Sequence, residues 1–198
     1  MSKNSKFYAY LSRLRWIKRW GLQRNAEPEN VMEHSWEVAT IAHALAIIKN
    51  TYYQGNVDAN QIATAALYHD ISEVITGDLP TPIKYHSKPI TEAYQRIEEE
   101  AESELISLLP EKLRAAFREC IDAKKQPDVN RQIIKAADTL SAHLKCLAEI
   151  RSGNCEFKEA AELTRQKIKS YEMAEVDYFM VNFVPAYELP LDSLLRYS

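Results

Sequence analysis

Apolar residues recur at helical intervals along most of this chain. The longest regular stripe has five positions spaced three or four residues apart, namely His34, Val38, Ile41, Leu45 and Ile48. An α-helix turns once every 3.6 residues, so this spacing puts all five side chains on one face. The pattern predicts a long amphipathic helix that begins its buried stripe with a histidine.

Further stripes of the same kind divide the rest of the chain into helical segments. They run from Phe7 to Ile17, Ile62 to Glu73, Tyr94 to Leu108, Pro110 to Cys120, Ile133 to Leu147, Phe157 to Tyr171 and Val176 to Phe183. No segment shows the strict alternation of apolar and polar residues that is typical of a strand. The pattern predicts an all-α fold, a helical bundle, and the length predicts a single domain over 1–198.

Glycine and proline predict where some of these helices end. Gly21 is of the residue type preferred just beyond a helix, so the first helix is predicted to end at Trp20. Pro80 and Pro82 bias the residues before them toward extended backbone. Residues 78–82 are therefore predicted to be non-helical.

The segment that starts at Ile62 carries polar groups on a side that its pattern predicts to be buried. It contains no internal glycine or proline, so we predict one continuous helix whose shared face carries Ile62, Ala66, His69, Asp70 and Glu73. Burying imidazole and carboxylate groups costs several kcal/mol unless something neutralises them. A divalent metal ion does so, and this face is the candidate active centre.

Four side chains at or beside the buried stripes are good ligands for a divalent ion. They are His34, His69, Asp70 and Asp138, which a helical bundle could bring together. Two imidazoles and two carboxylates suit manganese, cobalt, iron, nickel or zinc. Taken singly, His34 has an alternative role as a structural residue at a helix start. Asp138 has an alternative role as a surface residue paired with Lys135 or Arg131.

Composition argues against several other classes of protein. The formal net charge of -3 disfavours binding to nucleic acid polymers or to an anionic membrane, although it allows a local basic pocket. No segment approaches the roughly eighteen unbroken apolar residues of a membrane span. Cys120, Cys146 and Cys155 lack CxxC spacing, which favours free thiols in a reducing compartment. We expect a cytoplasmic protein.

Several longer segments resemble one group of enzymes. A remote histidine, then a His-Asp pair, then a later aspartate is similar to the pattern of the HD superfamily of metal-dependent phosphohydrolases. Within that superfamily the chain resembles the YfbR-type bacterial 5'-deoxynucleotidases, in segments Arg19-Trp20, Glu33-His34-Ser35, 68–73, 76–85, 135–138 and 177–180. The segment 76–85 is the most specific of these.

This resemblance implies an HD-domain helical bundle that forms a homodimer and removes phosphate from deoxyribonucleoside 5'-monophosphates. It implies one divalent metal ion, cobalt first, with manganese, copper, zinc or nickel as alternatives. The base would be read loosely, whereas ribonucleotides would be disfavoured. The implied metal ligands are His34, His69, Asp70 and Asp138.

The cluster and the resemblance together suggest catalytic roles. Glu73 would orient or deprotonate the attacking water, and Asp78 would hold that water or act on the leaving 5'-oxygen. Arg19 would clamp the phosphate through its planar guanidinium. Trp20 would pack against the deoxyribose and leave no room for a 2'-hydroxyl. The alternatives are a surface Glu73, a solvated Arg19 and an ordinary core Trp20.

Further substrate contacts are expected from the loop residues Asp78, Leu79, Pro80 and Thr81 and from the ligand carboxylates Asp70 and Asp138. A plain connecting loop is the alternative. Rival functions are another HD phosphohydrolase, acting on guanosine tetraphosphate, cyclic nucleotides or deoxynucleoside triphosphates, and a nucleotide-binding sensor without activity. A helical interaction module is the weakest rival, because it leaves the buried His-Asp face unexplained.

Overall fold

The computed structural model describes residues 4–194 as helices and their connections. The α-helices are Phe7–Leu11 (α1), Val31–Tyr52 (α2), Ala59–Leu67 (α3), Glu73–Thr76 (α4), Thr81–Lys84 (α5), Lys88–Ser107 (α6), Glu111–Ile121 (α7), Asp128–Arg151 (α8), Lys158–Lys169 (α9), Ala174–Asn182 (α10) and Leu191–Leu194 (α11). Over residues 4–194 no strand forms, and one isolated antiparallel bridge joins Lys18 to Asn30. The all-α prediction is confirmed. None of the helices in this range combines the length and apolar character needed to cross a bilayer.

Helices α2 and α8 form the centre of the bundle. Helix α2 packs against α3, α8 and α10, and α8 also packs against α9. The predicted stripes face these contacts, since Val38 and Leu45 of α2 and Ile133 and Leu140 of α8 are fully buried. Burying one such side chain stabilises the fold by about 1.5–3 kcal/mol. The apolar packing therefore holds α2 and α8, and the polar residues at their edge, in a fixed relation.

Hydrogen bonds fix the start of α2 and tie an earlier segment to it. The Asn30 side chain accepts the Glu33 backbone N–H at 3.0 Å, and the Glu33 carboxylate accepts the Asn30 N–H at 3.4 Å. This reciprocal cap satisfies two donors that a helix start leaves free. The backbone N–H of Arg19 donates to the Glu29 carbonyl at 3.0 Å. Arg19 is thereby placed beside the turn of α2 that carries His34.

The first predicted helix is shorter than its apolar pattern suggests. Helix α1 is followed by a 3₁₀ helix over Ser12–Trp16, and Ile17 is extended. The prediction of a helix end at Trp20 is wrong, because residues 17–19 leave the helix to pair with the segment just before α2. Trp20 itself has φ of 58°, a left-handed conformation that cannot continue a helix.

The continuous helix predicted from Ile62 onward is interrupted between α3 and α4. A turn occupies residues 68–72. In a continuing helix the Ala66 carbonyl would accept the backbone N–H of Asp70. Here it accepts a hydrogen bond from the His69 side chain at 2.7 Å. The prediction that one helical face carries the polar residues is therefore wrong, and a turn presents His69 and Asp70.

Two other helix predictions need correction. The segment 78–82, predicted to be non-helical, enters α5 at Thr81, with Pro82 in the first turn. Proline is tolerated there because its missing N–H removes no helical hydrogen bond. In α6 the predicted stripe residue Ile97 is 49% exposed, whereas Ile106 is buried. The other stripe residues Tyr94, Ala101 and Leu105 are buried as predicted, so the exposure of Ile97 is a local departure from the stripe.

Candidate active site

Three of the four predicted metal ligands meet in one place. His34 comes from the first turns of α2, whereas His69 and Asp70 come from the turn between α3 and α4. One ligand atom from each lies within 4.8 Å of the others. Asp70 Oδ2 is the shared point, 3.1 Å from His69 Nε2 and 3.6 Å from His34 Nε2.

The fourth predicted ligand, Asp138, stands beside this trio. It projects from α8, and its Oδ1 lies 3.2 Å from His34 Nε2. It is not part of the group whose ligand atoms all lie within 4.8 Å of one another. Its side chain is 42% exposed, twice the exposure of Asp70. Asp138 therefore occupies the open side of the cluster.

The two imidazoles present unused nitrogens to the carboxylates. His34 Nε2 and His69 Nε2 are both buried, and neither has a hydrogen-bond partner among the described residues. The other nitrogen of His69 donates to the Ala66 carbonyl, which leaves the Nε2 lone pair available. Buried polar atoms without partners are costly, and a divalent ion would satisfy both lone pairs and the facing oxygens. The donor set thus fits the metal that the sequence implies.

The electrostatics of the cluster favour a positive charge at its centre. Burial lowers the pKa of the His69 imidazole, but the Asp70 carboxylate outweighs it and raises that pKa to about 9. Burial raises the pKa of Asp70, yet His69, His34 and Arg19 hold it well below its usual range. A proton and a metal ion therefore compete for the same atoms, as is usual where ligands must be deprotonated.

Arg19 lies at the rim of the cluster. Its Nη1 is 3.7 Å from Asp70 Oδ2 and its Nε is 3.3 Å from Glu29 Oε2, with the side chain only 12% exposed. Burial lowers the pKa of the guanidinium, but the carboxylates of Asp70 and Asp138 raise it more strongly. The group therefore stays cationic, and it can meet an anion bound next to the cluster.

Trp20 is anchored on both of its sides. Its Nε1 donates to Glu29 Oε2 at 2.9 Å, the same oxygen that Arg19 approaches. Its ring packs against Phe157 with 5.3 Å between centroids. Trp20 is thus partly a packing residue and partly a wall of the adjoining cavity. Sequence reasoning missed Glu29, because an acidic residue in a polar connection gives no signal of its own.

Glu73 and Asp78 complete a group of crowded carboxylates. Glu73 is only 5% exposed, and its Oε2 has no hydrogen-bond partner among the described residues. Burial and repulsion from Asp70 and Asp78 raise the pKa of Glu73 to about 10. Burial also raises the pKa of Asp78, although Arg19 opposes it. A cation placed at Asp70 would weaken the repulsion that holds the proton on Glu73.

A cavity of about 600 Å³ opens beside Arg19. Its lining residues are Arg19, Trp20, Gly21, Leu22, Gln23, Asp78, Pro80, Thr81, Pro82, Tyr85, Ala160, Leu163 and Thr164. Of the predicted substrate contacts, Leu79 and the ligands Asp70 and Asp138 are not in this lining. Leu163 and Thr164 of α9 were missed by sequence reasoning, because Thr164 lies in an apolar stripe that indicates a core position.

The loop that enters this cavity is tied to α6 at both ends. The Tyr94 hydroxyl donates to the Gly77 carbonyl at 3.4 Å. At the other end Lys84 Nζ donates to Glu98 Oε1 at 2.8 Å, and the Thr91 hydroxyl donates to the Lys84 carbonyl at 2.9 Å. The residues between, which include Asp78, are therefore positioned by α6, although α6 itself does not reach the cavity lining.

Comparison with known proteins gives consistent matches. A family model described as 5'-deoxynucleotidase YfbR-like matches residues 6–187. A Photorhabdus temperata protein described as 5'-deoxynucleotidase yfbR is 50% identical over 190 residues, which is 96% of each chain. An HD-domain phosphohydrolase structure from Listeria innocua is 27% identical, with a TM-score of 0.81 over 92% of this chain and 88% of that one. A cyanophage S-2L HD phosphohydrolase, bound to dA and one catalytic Zn²⁺ ion, has the same fold at 23% identity, with a TM-score of 0.65 over 90% and 95% of the chains.

Proposed function

We propose that this chain, which belongs to the YfbR-like family of 5'-deoxynucleotidases, removes phosphate from deoxyribonucleoside 5'-monophosphates with one divalent ion. The chain is a phosphoric monoester hydrolase with the HD-domain helical fold. The observation that carries the assignment of the site is the convergence of His34, His69 and Asp70 beside a cationic Arg19 and a cavity of about 600 Å³. Arg19 lies between the two other parts of the site, because it approaches Asp70 of the metal cluster and also lines the cavity that has room for a nucleoside.

The ion would be held by His34, His69, Asp70 and Asp138. When bound, it supplies Lewis-acid polarisation of the phosphate and a lowered water pKa. The chain's own residues then fix the geometry. Arg19 receives phosphate oxygens at the rim of the cluster, where its remaining N–H groups form charge-assisted hydrogen bonds.

Glu73 is the residue we assign to the attacking water. It is buried, and its Oε2 has no hydrogen-bond partner among the described residues. Once a bound cation weakens the repulsion that keeps Glu73 protonated, its carboxylate can accept a proton from a water held between it and the phosphate. Asp78 lies on the cavity side, in the loop tied to α6. From there it can hold the same water or give a proton to the leaving 5'-oxygen.

The cavity wall supplies the preference for deoxyribose. Trp20 is held by Glu29 and Phe157, so its ring cannot easily move aside for a 2'-hydroxyl. Pro80 and Thr81 line the same cavity. The base would lie toward Leu163, a mainly apolar part of the wall with few groups to read base edges, which fits loose base selection.

A direct test uses protein stripped of metal and reconstituted with cobalt, manganese, copper, zinc or nickel separately. We expect metal-dependent phosphate release from deoxyribonucleoside 5'-monophosphates, fastest with cobalt, and much slower release from ribonucleotides. Failure of every ion to support turnover of any monophosphate would overturn the proposal. Preferred turnover of guanosine tetraphosphate, a cyclic nucleotide or a deoxynucleoside triphosphate would assign the chain to a different reaction of the same fold.

We also expect a homodimer in solution, as the family resemblance implies. The apolar stripe of α10 gives this expectation little support, because two of its residues, Val176 and Phe179, are buried in the core and Phe183 alone of the three is substantially exposed. Light scattering coupled to size exclusion measures the mass directly. A monomer mass at micromolar concentration would remove this part of the proposal without affecting the chemistry.

A further inference from the structure

A chain of hydrogen bonds runs from the second ring nitrogen of His34 through Ser141 to Glu37, away from the metal cluster. His34 Nδ1 lies 3.1 Å from Ser141 Oγ. The Ser141 hydroxyl in turn donates to Glu37 Oε2 at 2.6 Å. His34 and Ser141 are fully buried, whereas Glu37 is partly exposed.

The two helices carry these residues in matching positions. Glu37 follows His34 by three residues on α2, and Ser141 follows Asp138 by three residues on α8. Residues three apart lie on the same side of a helix, about one turn along. Each helix therefore carries one proposed metal ligand, His34 or Asp138. One turn further along, it carries one residue of the hydrogen-bonded chain, Glu37 or Ser141.

The direction of the hydrogen bonds follows from the chemistry of their ends. The Ser141 hydroxyl donates to Glu37, as it must when that carboxylate is ionised, because an ionised carboxylate accepts but cannot donate. Burial raises the pKa of Glu37, and the hydrogen bond from Ser141 opposes that change. The lone pairs of the Ser141 oxygen are then left to face His34, which must donate from Nδ1. A neutral imidazole with its proton on Nδ1 has its lone pair on Nε2, and Nε2 is the atom that faces Asp70 and Asp138.

We propose that Glu37 and Ser141 are positioning residues that hold His34 in the metal-binding tautomer and thereby set the affinity of the site for its divalent ion. The inference rests on the proposed function, since it needs an ion at His34. His69 reaches the same state differently, because its Nδ1 donates to the fixed backbone carbonyl of Ala66. Of the two histidines, only His34 depends on side chains for its orientation, and so only His34 can be altered by substitution of its partner.

Glu37 has no other evident task in the fold. It forms no ion pair among the described residues, and the hydrogen bond from Ser141 is the one that its side chain makes within that range. Its outer side faces solvent in a groove that also contains Trp36 and Tyr187. A partly buried carboxylate whose one side-chain hydrogen bond leads through Ser141 to a proposed metal ligand is best explained by orientation of that ligand.

The experiment compares Ser141→Ala and Glu37→Gln with the native chain. Ser35→Ala is the matched control, because Ser35 is also buried, adjoins His34 and has a hydroxyl without a hydrogen-bond partner among the described residues. Dissociation constants for Co²⁺ and Zn²⁺ are measured by chelator competition. The tautomer of His34 is read from ¹⁵N chemical shifts of the metal-free protein.

We expect Ser141→Ala to weaken metal binding by about 10- to 100-fold, the range usual for loss of a group that orients a ligand. Glu37→Gln should weaken it less, since an amide can still accept from Ser141 but no longer dictates the direction. Both variants should raise the fraction of His34 with its proton on Nε2, whereas Ser35→Ala should change neither quantity. Metal affinities within twofold of native and unchanged His34 shifts in both variants would overturn the inference.

The outcomes separate this inference from the proposed function. If the native protein turns over deoxyribonucleotides and the variants keep the native metal affinity, the inference is overturned and the proposed function stands. Native protein that binds an ion without hydrolysing any nucleotide would sink the function, and the inference would be decided by the affinities. Should Ser141→Ala fail to fold, Glu37→Gln gives the deciding result, because Glu37 is only partly buried and the amide has the same shape as the carboxylate.

Discussion

The active centre has two walls that are built on different principles. One wall consists of His34 and Asp138, carried by the long helices α2 and α8 whose apolar faces pack at the centre of the bundle. The other wall consists of the turn with His69 and Asp70, together with the segments that carry Arg19 and the cavity loop. The backbone of the helix wall is held by many small apolar contacts, whereas the ring of His34 within it is oriented by its hydrogen bond with Ser141. The turn wall packs through Ile71 and Val74, and hydrogen bonds fix its polar parts: His69 donates to a backbone carbonyl, and the cavity loop is tied to side chains of α6.

The largest effect should come from Asp70, where the two walls meet. Asp70→Asn removes the oxygen charge that faces His34, His69 and Arg19 together. We expect loss of bound metal and a fall in turnover of roughly 10⁴-fold or more, because the contribution of the ion, several kcal/mol, disappears. Asp138→Asn should cost less, since Asp138 approaches only His34 and is more exposed. Metal content and kcat/KM are the measurements. Equal losses in both variants would contradict the larger role expected for Asp70.

Glu73 should come next, with a different signature. Glu73→Gln keeps the shape of the side chain but cannot take a proton, so turnover should fall about 10²- to 10⁴-fold. Metal content should stay at the native level, because Glu73 is not among the proposed ligands. Glu92→Gln, at an exposed position of α6, is the control and should have native activity. Near-native turnover in Glu73→Gln would remove this residue from the mechanism.

Trp20 should give a smaller effect that concerns selectivity. Trp20→Ala opens the cavity next to the sugar, and the ratio of kcat/KM for deoxy- over ribonucleoside monophosphates should fall by about tenfold, near 1.4 kcal/mol. Phosphate release from dAMP and AMP measured in parallel gives the ratio. An unchanged ratio would show that the preference arises from another part of the lining, such as Thr81.

The smallest effect on activity at neutral pH is expected from substitution of Glu149, the residue of α8 that holds the polar connection before α2. Glu149 accepts backbone N–H bonds from Ala26 at 2.8 Å and Glu27 at 3.0 Å, and also pairs with Lys145. Burial raises the pKa of Glu149, but Lys145 and the two N–H groups outweigh it and lower that pKa to about 2.

This depressed pKa has a consequence for acid stability. A carboxylate whose folded pKa lies below its unfolded pKa contributes stability above the unfolded value, here 4.5, and loses it as the pH falls toward 2. The free energy of unfolding, from urea titrations at pH 6, 5, 4 and 3, should therefore drop more steeply for the native chain than for Glu149→Gln. Parallel curves would show that this anchor contributes little.

The difference between the walls also explains how far sequence reasoning could reach. The stripe from His34 to Ile48 predicts α2 correctly, because apolar periodicity directly reflects which face is buried. The segment after Ile62 is apolar enough to predict a helix, yet one side-chain hydrogen bond, from His69 to the Ala66 carbonyl, interrupts it. Periodicity contains no information about such a bond.

The partners of the site residues were harder still to predict. Glu29 and Glu37 look like ordinary solvated glutamates in the sequence, and their roles depend on side chains that lie far along the chain or on another helix. Thr164 resembles a core residue of α9 until the cavity beside it is seen. Single-residue chemistry and family resemblance were enough to identify the proposed metal ligands. The residues that position those ligands could be identified only from distances in the structure.

One carboxylate oxygen links two tasks that an engineer would wish to separate. Glu29 Oε2 accepts a hydrogen bond from Trp20 and lies 3.3 Å from Arg19 Nε, so one carboxylate positions both the ring proposed to face the sugar and the cation proposed to bind phosphate. Replacing Trp20 with a smaller residue to admit a different sugar would therefore also disturb the position of Arg19. A redesign for altered nucleoside preference should instead start at Leu163, a lining residue of α9 that is 58% exposed and can be replaced with little loss of packing.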